Sequence, residues 1–307
     1  MSRLFVALAT GIVAATAPGW ALLAETLSVP NASFESPVTP FVSTQIDAWQ
    51  KAPRPDWYDE TGGFLWDQLA GLFKNTPAGS ADHIENCDGA QAIWLFAVPE
   101  VALFQDYDSV DWNDASPSHA FDARFEVGKS YRLTVGVIGT GGNMLEGVPL
   151  EIGLYYRDAS GSPVIVASST VTNSAAEFPD RNHFVDFAVA VPTVQAGDAW
   201  AEQHIGVRFR STVSAEMQGG FWDLDNVRLT AASPPTLSDP KVADGQFQFT
   251  LKSDPGLVFD ILTASDPTLP GAGWTRLTTV TNVTGDVLVT DPNALAGARF
   301  YTARQLP

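Results

Sequence analysis

The sequence is poor in cysteine and in basic residues. It contains one cysteine, Cys87, and 17 Lys and Arg residues against 35 Asp and Glu residues. A lone cysteine forms no internal disulfide and no cysteine-based zinc site. We expect its thiol to be buried and unreactive. The net charge of −18 disfavours nucleic acid and anionic membrane surfaces as partners, because phosphate binding needs clustered Lys and Arg. An acidic chain of this kind suits an extracellular protein that offers oxygens to calcium.

The sequence also lacks the familiar catalytic motifs. It has no Gly-x-Ser-x-Gly elbow, no His-Glu-x-x-His, no P-loop and no Gly-x-Gly-x-x-Gly. The four histidines are scattered, without the close spacing of a helical metal site. Carboxylates are abundant enough for a glycosidase pair, but no segment marks a cleft for one. We therefore predict a non-catalytic protein, with a glycoside hydrolase as a less favoured alternative.

The first 24 residues have the pattern of a signal peptide. A basic start with Arg3 is followed by the apolar run Leu4–Ala15, which is too short to span a membrane. Ala24 precedes the expected cleavage point, and a cut after Ala17 is disfavoured by Pro18. A retained N-terminal anchor is the alternative. No later stretch is long and apolar enough to cross a bilayer, so we expect a secreted or cell-surface protein with no membrane span in the mature chain.

Strand patterns dominate the middle of the chain. Apolar residues alternate with polar or small ones in several segments, separated by turn residues: 131–137, 150–156, 164–171, 185–191 and 205–209. Residues 52–90 carry few strand signals, and Phe64–Phe73 could form one or two helical turns. Further strands are predicted at Ile46–Lys51, Ala90–Val98 and Val101–Tyr107. Together with the opening and closing segments this gives roughly nine strands, which predicts an all-β protein with an antiparallel β-sandwich of the jelly-roll type.

The closing segment Gly219–Thr230 contains a conflict of phase. Trp222 and Leu224 share one face of a strand, whereas Val227 and Leu229 share the other, and Asp225 is in phase with the second pair. Either a bulge resets the register between Leu224 and Val227, or a carboxylate points into the core. An inward carboxylate needs a cation or hydrogen-bond donors, and we interpret Asp225 as a structural metal ligand.

A change of composition divides the chain. The run Ala231–Pro235 resembles a linker, and the strands that follow it are short. The predicted organisation is a signal peptide over 1–24, a jelly roll over 25–231, a linker over 232–238 and a small immunoglobulin-like or fibronectin-like β module over 239–307.

The jelly roll resembles a family of exported bacterial proteins with a galactose-binding-like domain, a fold shared with carbohydrate-binding modules. The likeness lies in the order of several short motifs: Asn31–Glu35, Ala48–Trp49, Gly71–Asn75, Glu85–Gln91, Phe104–Asp106, Val127–Leu133 and Asp225–Val227. Ala32 replaces the usual Gly of the opening motif, and Ala48 replaces the usual Gly before Trp49.

The resemblance implies a structural calcium ion. In relatives with such an ion, the opening Glu and the closing Asp supply side chains and nearby carbonyls complete the shell. This transfers to Glu35 and Asp225, with the carbonyl of Asn31 or Ser33. Two carboxylates with carbonyls can meet the six to eight oxygens that calcium prefers. The alternative is a plain hydrogen-bonded pair of strand ends.

The resemblance also implies carbohydrate binding, for which exposed aromatic rings are the physical requirement. Our candidates are the loop residues Trp57, Tyr58, Trp66 and Trp112, while other tryptophans lie in strand patterns and are assigned to the core. The expected partner is an extracellular glycan or a cell-surface component. A structural or adhesive surface protein without small-ligand binding is the alternative, in which both domains serve as spacers or assembly contacts.

The tail resembles a C-terminal module of large exported proteins from planctomycete-like and verrucomicrobia-like bacteria. The similar segments are Gly273–Thr275, Val289–Asp291 and Arg299–Arg304. By analogy, this implies a role in surface display or assembly.

Overall fold

The computed structural model describes residues 3–4, 25–110, 116–269, 273–294 and 299–306. These residues form two compact units, the larger one containing Thr26–Val127 and Tyr131–Thr230, and the smaller one the remaining described residues. Nearly all regular structure is β-strand, and the sheets are antiparallel. The predicted fold class, an all-β antiparallel sandwich of the jelly-roll type, is confirmed. No helix within the described ranges is long and apolar enough to cross a membrane.

The strands up to the end of the larger unit are mostly short. They are β1 (Arg3–Leu4), β2 (Glu25–Leu27), β3 (Val42–Ser43), β4 (Gln50–Lys51), β5 (Ala70–Lys74), β6 (Gln91–Phe96), β7 (Ala102–Gln105), β8 (Ser130–Gly141), β9 (Pro149–Arg157), β10 (Pro163–Thr172), β11 (Val185–Val191), β12 (Gly206–Ser211) and β13 (Phe221–Ala232).

Two sheets make up the sandwich. The seven-stranded sheet has the order β11-β8-β13-β6-β5-β3, with β2 paired to β13, and the five-stranded sheet has the order β10-β9-β12-β7-β4. The alternation predicted from the sequence places the core between them, because Leu133, Ile152, Val207 and Trp222 are all fully buried. The intervening residues of the same strands face outward from each sheet, and these outer faces carry the cavities described below.

The segment 52–90 contains one strand that the sequence pattern did not reveal. A 3₁₀ turn over Trp66–Leu69 leads directly into β5, which pairs with both β6 and β3. The first residues of β5, Ala70, Gly71 and Leu72, are buried in succession rather than alternately. A short strand covered on both faces shows no period of two, and this is why it was missed.

The phase conflict in β13 is resolved by a local change of backbone. Asn226 has a φ of 54°, a left-handed conformation that Asn tolerates better than most residues. Leu224 and Val227 are therefore both buried against the core although three positions separate them. The strand thus changes phase between Leu224 and Val227, and Asp225, which lies within this step, is itself fully buried.

The smaller unit has two sheets of its own. One has the order β1-β19-β16-β17 and the other β14-β15-β18, and Phe249, Phe259 and Ile261 are fully buried in the core that the unit encloses. Pro240 and a register shift between Ser238 and Lys241 interrupt β14, and no strand was predicted there. The strands are β14 (Thr236–Ala243), β15 (Gln246–Lys252), β16 (Val258–Ala264), β17 (Thr275–Thr281), β18 (Asp286–Asp291) and β19 (Phe300–Gln305).

Candidate functional site

A cavity of about 610 Å³ lies on the outer face of the seven-stranded sheet. Its volume is within the usual range for small-molecule sites. One end carries polar side chains, among them Lys74, Asp82 and Arg181. The rest of the wall is mostly apolar and rich in aromatic rings: Phe64, Phe73, Trp94, Phe96, Ile138 and Phe221.

Strand β13 places one carboxyl group in this wall. Trp222 and Leu224 are fully buried in the sandwich core, so Phe221 and Asp223 project from the opposite face of the sheet. In the pairing with β6, Phe221 is opposite Phe96 and Asp223 is opposite Trp94. The acid therefore lies beside an indole ring, and two phenyl rings lie two residues further along the strands on the same face.

The surroundings of Asp223 favour its protonated form. Asp223 is half-buried and lines the cavity. Within the described part of the chain, its carboxyl group has no hydrogen-bond donor and no cationic partner. Burial raises the pKa of Asp223 to about 8, because a low-dielectric environment penalises the charged form. A carboxylic acid in this state holds a proton at neutral pH and can deliver it to a bound molecule.

The aromatic wall is fixed from behind by glycines and one hydrogen bond. The Nε1 of Trp94 donates to the carbonyl of Gln68 at 3.0 Å, and the Trp94 ring lies over Gly71, where a β-carbon would overlap it. The ring of Phe221 covers Gly141 in the same way. Small residues at these positions let the rings lie flat on the sheet and leave the space above them open.

The predicted metal residues Glu35 and Asp225 meet on the loop before β6. Asp225 is fully buried, and its Oδ2 accepts from the backbone nitrogen of Asp88 at 2.7 Å. Glu35 Oε1 accepts from the backbone nitrogens of Ala90 and Gln91 at 2.8 and 2.7 Å. Burial raises the pKa of Asp225 to about 7.

Asn31 and Ser33 lie on the same seam. The side chain of Asn31 donates to the carbonyls of Ser36 and Asp47, both at 2.8 Å, and the hydroxyl of Ser33 donates to Asp88 Oδ2 at 2.5 Å. Burial and the nearby charges of Asp225, Glu35 and Asp88 raise the pKa of the thiol of Cys87. Among the residues that the structure describes, no three Asp, Glu, His or Cys side chains are grouped to hold a metal ion.

Three of the four predicted ring-stacking residues form one cluster. Trp57, Tyr58 and Trp66 contact one another edge to face, with ring centres 5.0 to 6.3 Å apart. Trp57 is 49% exposed, whereas Trp66 is buried and donates from Nε1 to the carbonyl of Ala52 at 2.7 Å. Tyr58 donates to the carbonyl of Phe64 at 3.0 Å. The fourth residue, Trp112, lies outside the described residues.

Sequence reasoning did not single out Asp223. The available signal was its phase, because Asp223 alternates with the core residues Trp222 and Leu224. Asp225 is the more conspicuous residue in the sequence, because it is in phase with Val227 and Leu229. The sequence does not show that apolar residues of β5, β6 and β8 form a wall around Asp223.

The chain belongs to the HpiC1-like family, whose model describes the HpiC1 cyclase and matches residues 25–230. No curated protein matches the sequence.

Solved structures with a similar fold come from several kinds of protein. A Stig cyclase, Fisc, from Fischerella sp. TAU, bound to (3Z)-3-(1-methyl-2-pyrrolidinylidene)-3H-indole, is 19% identical with a TM-score of 0.48, covering 68% of this chain and 98% of that chain. The CBM22-1 xylan-binding domain of Xyn10C from Paenibacillus barcinonensis is 12% identical with a TM-score of 0.36, covering 69% and 97%.

Membership of a cyclase family corrects the prediction of a non-catalytic protein. That prediction rested on the absence of hydrolase and nucleotide-binding motifs. Catalysis by a single buried acid needs no such motif, because one carboxyl group and the apolar residues around it can come from separate strands.

Proposed function

We propose that the protein is a cyclase that binds an apolar, unsaturated substrate in the cavity on the seven-stranded sheet and starts ring closure by protonation from Asp223. The observation that carries the proposal is the carboxyl group of Asp223 in the apolar wall of that cavity, where no described residue donates a hydrogen bond to it. Membership of the HpiC1-like family supports the reaction class.

The proposed reaction conserves all atoms of the substrate. Asp223 gives its proton to one carbon of a double bond, the π electrons form the new C–H bond, and the neighbouring carbon becomes cationic. A second π bond of the substrate attacks this carbon and closes the ring, which moves the positive charge to another carbon. Loss of a proton next to that charge, to the carboxylate of Asp223, restores the acid and leaves an isomer of the substrate.

The aromatic wall suits a cationic intermediate. Trp94 faces the position of Asp223 on the neighbouring strand, and Phe96 and Phe221 contact each other at 5.9 Å between ring centres. The faces of such rings attract positive charge, and tryptophan does so most strongly. An apolar wall also keeps water from capturing the cation before the ring closes.

The reaction is tested with indoles that carry an alkene side chain, because the Fisc structure and a structure of a cyclase from Fischerella sp. TAU contain indole ligands, the latter 4-(1H-indol-3-yl)butan-2-one. In D₂O we expect the cyclised product to gain one deuterium, detected by mass spectrometry. Asp223→Asn should lose turnover while still binding 4-(1H-indol-3-yl)butan-2-one, as followed by tryptophan fluorescence. Asp56→Asn, an exposed acid outside the cavity, is the matched control. Equal turnover by Asp223→Asn and the wild type would refute the assignment.

We also propose a structural calcium ion held by Glu35 and Asp225, with backbone carbonyls of Asn31 or Ser33. Support comes from the charges of Glu35, Asp88 and Asp225, which lie close enough to Cys87 to raise the pKa of its thiol. None of these three carboxyl groups has a Lys or Arg partner among the described residues. Carboxylates in such a site need a cation to offset their repulsion. The ion would join the opening segment, the loop before β6 and β13.

Thermal unfolding tests the calcium proposal. Calcium should raise the Tm of the full chain by several degrees, and a chelator should lower it. Magnesium should have a much smaller effect, because it prefers a compact octahedral shell with retained waters. An equal response to both ions, or no response to the chelator, would remove the proposal.

Glycan binding through Trp57, Tyr58 and Trp66 is a second proposal, and the half exposure of Trp57 favours it. The burial of Trp66 leaves Trp57 as the ring that could stack on a sugar. Retention on insoluble glycans should fall in a Trp57→Ala/Trp66→Ala double variant. Absence of retention, together with self-association, would support a structural or adhesive role instead.

A further inference from the structure

A second cavity, of about 320 Å³, lies on the outer face of the five-stranded sheet. Val207 and Phe209 of β12 are fully buried in the core. Arg208 and Arg210 alternate with them along the strand and therefore project from the outer face of the sheet. Both arginines line the cavity, and along the strand they stand about 7 Å apart.

The charge of this wall is opposite to that of the whole protein. Three of the chain's 17 basic residues line the cavity, and they are Arg157, Arg208 and Arg210. The acidic residue in the wall is Glu100, whose Oε1 accepts from the Nε1 of Trp57 at 3.1 Å. On a chain with a net charge of −18, this wall brings together basic side chains whose N–H groups can donate to an anion.

Arg157 is held in place by a buried carboxylate. Its Nε and one terminal nitrogen donate to Asp106 Oδ2 at 2.9 and 2.7 Å, and the hydroxyl of Tyr155 donates to the same oxygen. The Arg157 guanidinium lies 5.8 Å from the ring centre of Phe104. The other terminal nitrogen of Arg157 donates to the carbonyl of Gly161 at 2.9 Å. All three guanidinium nitrogens therefore have partners within the protein, and Arg157 contributes charge and shape to the wall.

Arg208 is also held, whereas Arg210 is not. A terminal nitrogen of Arg208 donates to Glu151 Oε1 at 2.7 Å, and the Arg208 side chain is 15% exposed. Among the residues that the structure describes, the side chain of Arg210 has no hydrogen-bonding or ionic partner. A guanidinium has five N–H donors, so Arg208 and Arg210 together keep several donors for a ligand.

We propose that this cavity binds a small organic anion, with Arg208 and Arg210 contacting a carboxylate or similar oxyanion of the ligand. The apolar part of the ligand would rest on Pro53, Phe104 and Pro163, which belong to the apolar part of the wall. A cavity of this size admits one ring-sized molecule. The site is separate from the cavity that contains Asp223, so the two proposals stand or fall independently.

The ligand chemistry could belong to a sugar acid or to an aromatic acid. Binding to the full chain is measured by titration calorimetry with D-glucuronate and D-glucose as one pair, and with benzoate and benzyl alcohol as the other. We expect one or both acids to bind, their neutral partners not to bind, and inorganic sulfate to bind more weakly than the acids. Affinity should fall as salt is raised, since the contact is largely ionic.

Arg210→Gln is the decisive variant, because it breaks no side-chain hydrogen bond or ion pair of the described residues. It should weaken binding of the acid roughly tenfold, the size expected for one charge-assisted contact. Arg132→Gln, an exposed strand arginine outside the cavity, should bind like the wild type. The double variant Arg208→Gln/Glu151→Gln, which removes both members of an ion pair, should also lose affinity.

Three outcomes would overturn the proposal. They are the absence of saturable binding by both acids, binding that Arg210→Gln leaves unchanged, and sulfate binding as tight as that of the acids. Circular dichroism of each variant shows whether a loss of binding occurs in a folded chain. None of these results depends on cyclase activity, which is measured separately.

Discussion

At the scale of single residues, two carboxyl groups that lie two positions apart on β13 have different environments. Asp225 is enclosed by the loop before β6 and receives backbone donors on both oxygens. In the described part of the chain Asp223, two positions earlier, receives no such donors, and it lines a mostly apolar cavity. The same strand thus holds one acid whose carboxylate is satisfied by peptide groups and one whose proton is available.

Activity should depend on pH through Asp223. Burial raises its pKa to about 8, so turnover should fall as the pH rises through that value. Stability should change in the same direction, because the folded chain holds this proton more tightly than the unfolded chain and loses that advantage between about pH 4 and 8. Asp223→Asn should remove this part of the pH dependence of urea unfolding. A difference between the two chains that stays constant from pH 4 to 9 would contradict the assignment.

Gly71 is the residue whose enlargement should damage the aromatic wall most directly. A β-carbon there would overlap the ring of Trp94 and lie 2.5 Å from the carbonyl of Ser43. Gly71→Ala should cost about 1–3 kcal/mol, the usual range for overpacking, and should weaken binding of 4-(1H-indol-3-yl)butan-2-one. Gly197→Ala, where a β-carbon meets nothing within 4 Å, is the control. Urea unfolding followed by tryptophan fluorescence measures both variants.

At the scale of elements, the alternation of apolar and polar residues predicts the long strands but not the short strand β5. Residues 131–137 and 185–191 alternate cleanly because one face of each strand is core and the other is not. β5 lies between two strands and is covered on both faces at its start, so its residues carry no such contrast. The candidate site was harder to predict because its wall joins β13, β6 and β5, which are distant in sequence, and no local pattern encodes that meeting.

The backbone at Asn226 should be sensitive to branching. Its φ of 54° is costly for β-branched residues and not for glycine. Asn226→Val should destabilise the larger unit by about 1–3 kcal/mol, while Asn226→Gly should stay close to the wild type. Unfolding curves of the two variants, measured side by side, test this. Equal stability would mean that the left-handed conformation is not needed at this position.

At the scale of the whole molecule, the chain combines a cyclase-family unit with a second β unit of its own core. The family match covers 25–230, and the smaller unit encloses Phe249, Phe259 and Tyr301. The β1 segment pairs Arg3 with Thr302 and Leu4 with Tyr301 at the edge of β19. Export of the chain and the role of the smaller unit stay predictions.

The signal-peptide prediction is tested by the mass of the protein recovered from a secreting bacterial host. Cleavage after Ala24 would leave Glu25 as the first residue, and an intact-mass measurement would identify that end. The control is a variant with Ala24→Arg, which should block processing because signal peptidase requires a small residue before the cut. Recovery of the uncleaved chain in the wild type would refute the prediction.

The two faces of β13 have a consequence for how errors in folding would appear. Because side chains on a strand alternate with a period of two, sliding β13 by a single step against β6 would turn Asp223 and Asp225 inward and push Trp222 and Leu224 into water. A misaligned chain would therefore lose three features together. They are Asp223 in the cavity wall, the hydrogen bond from the loop to Asp225, and the core packing of Trp222 and Leu224. Half-active, loosely assembled molecules should be rare, and preparations should divide into competent protein and aggregate.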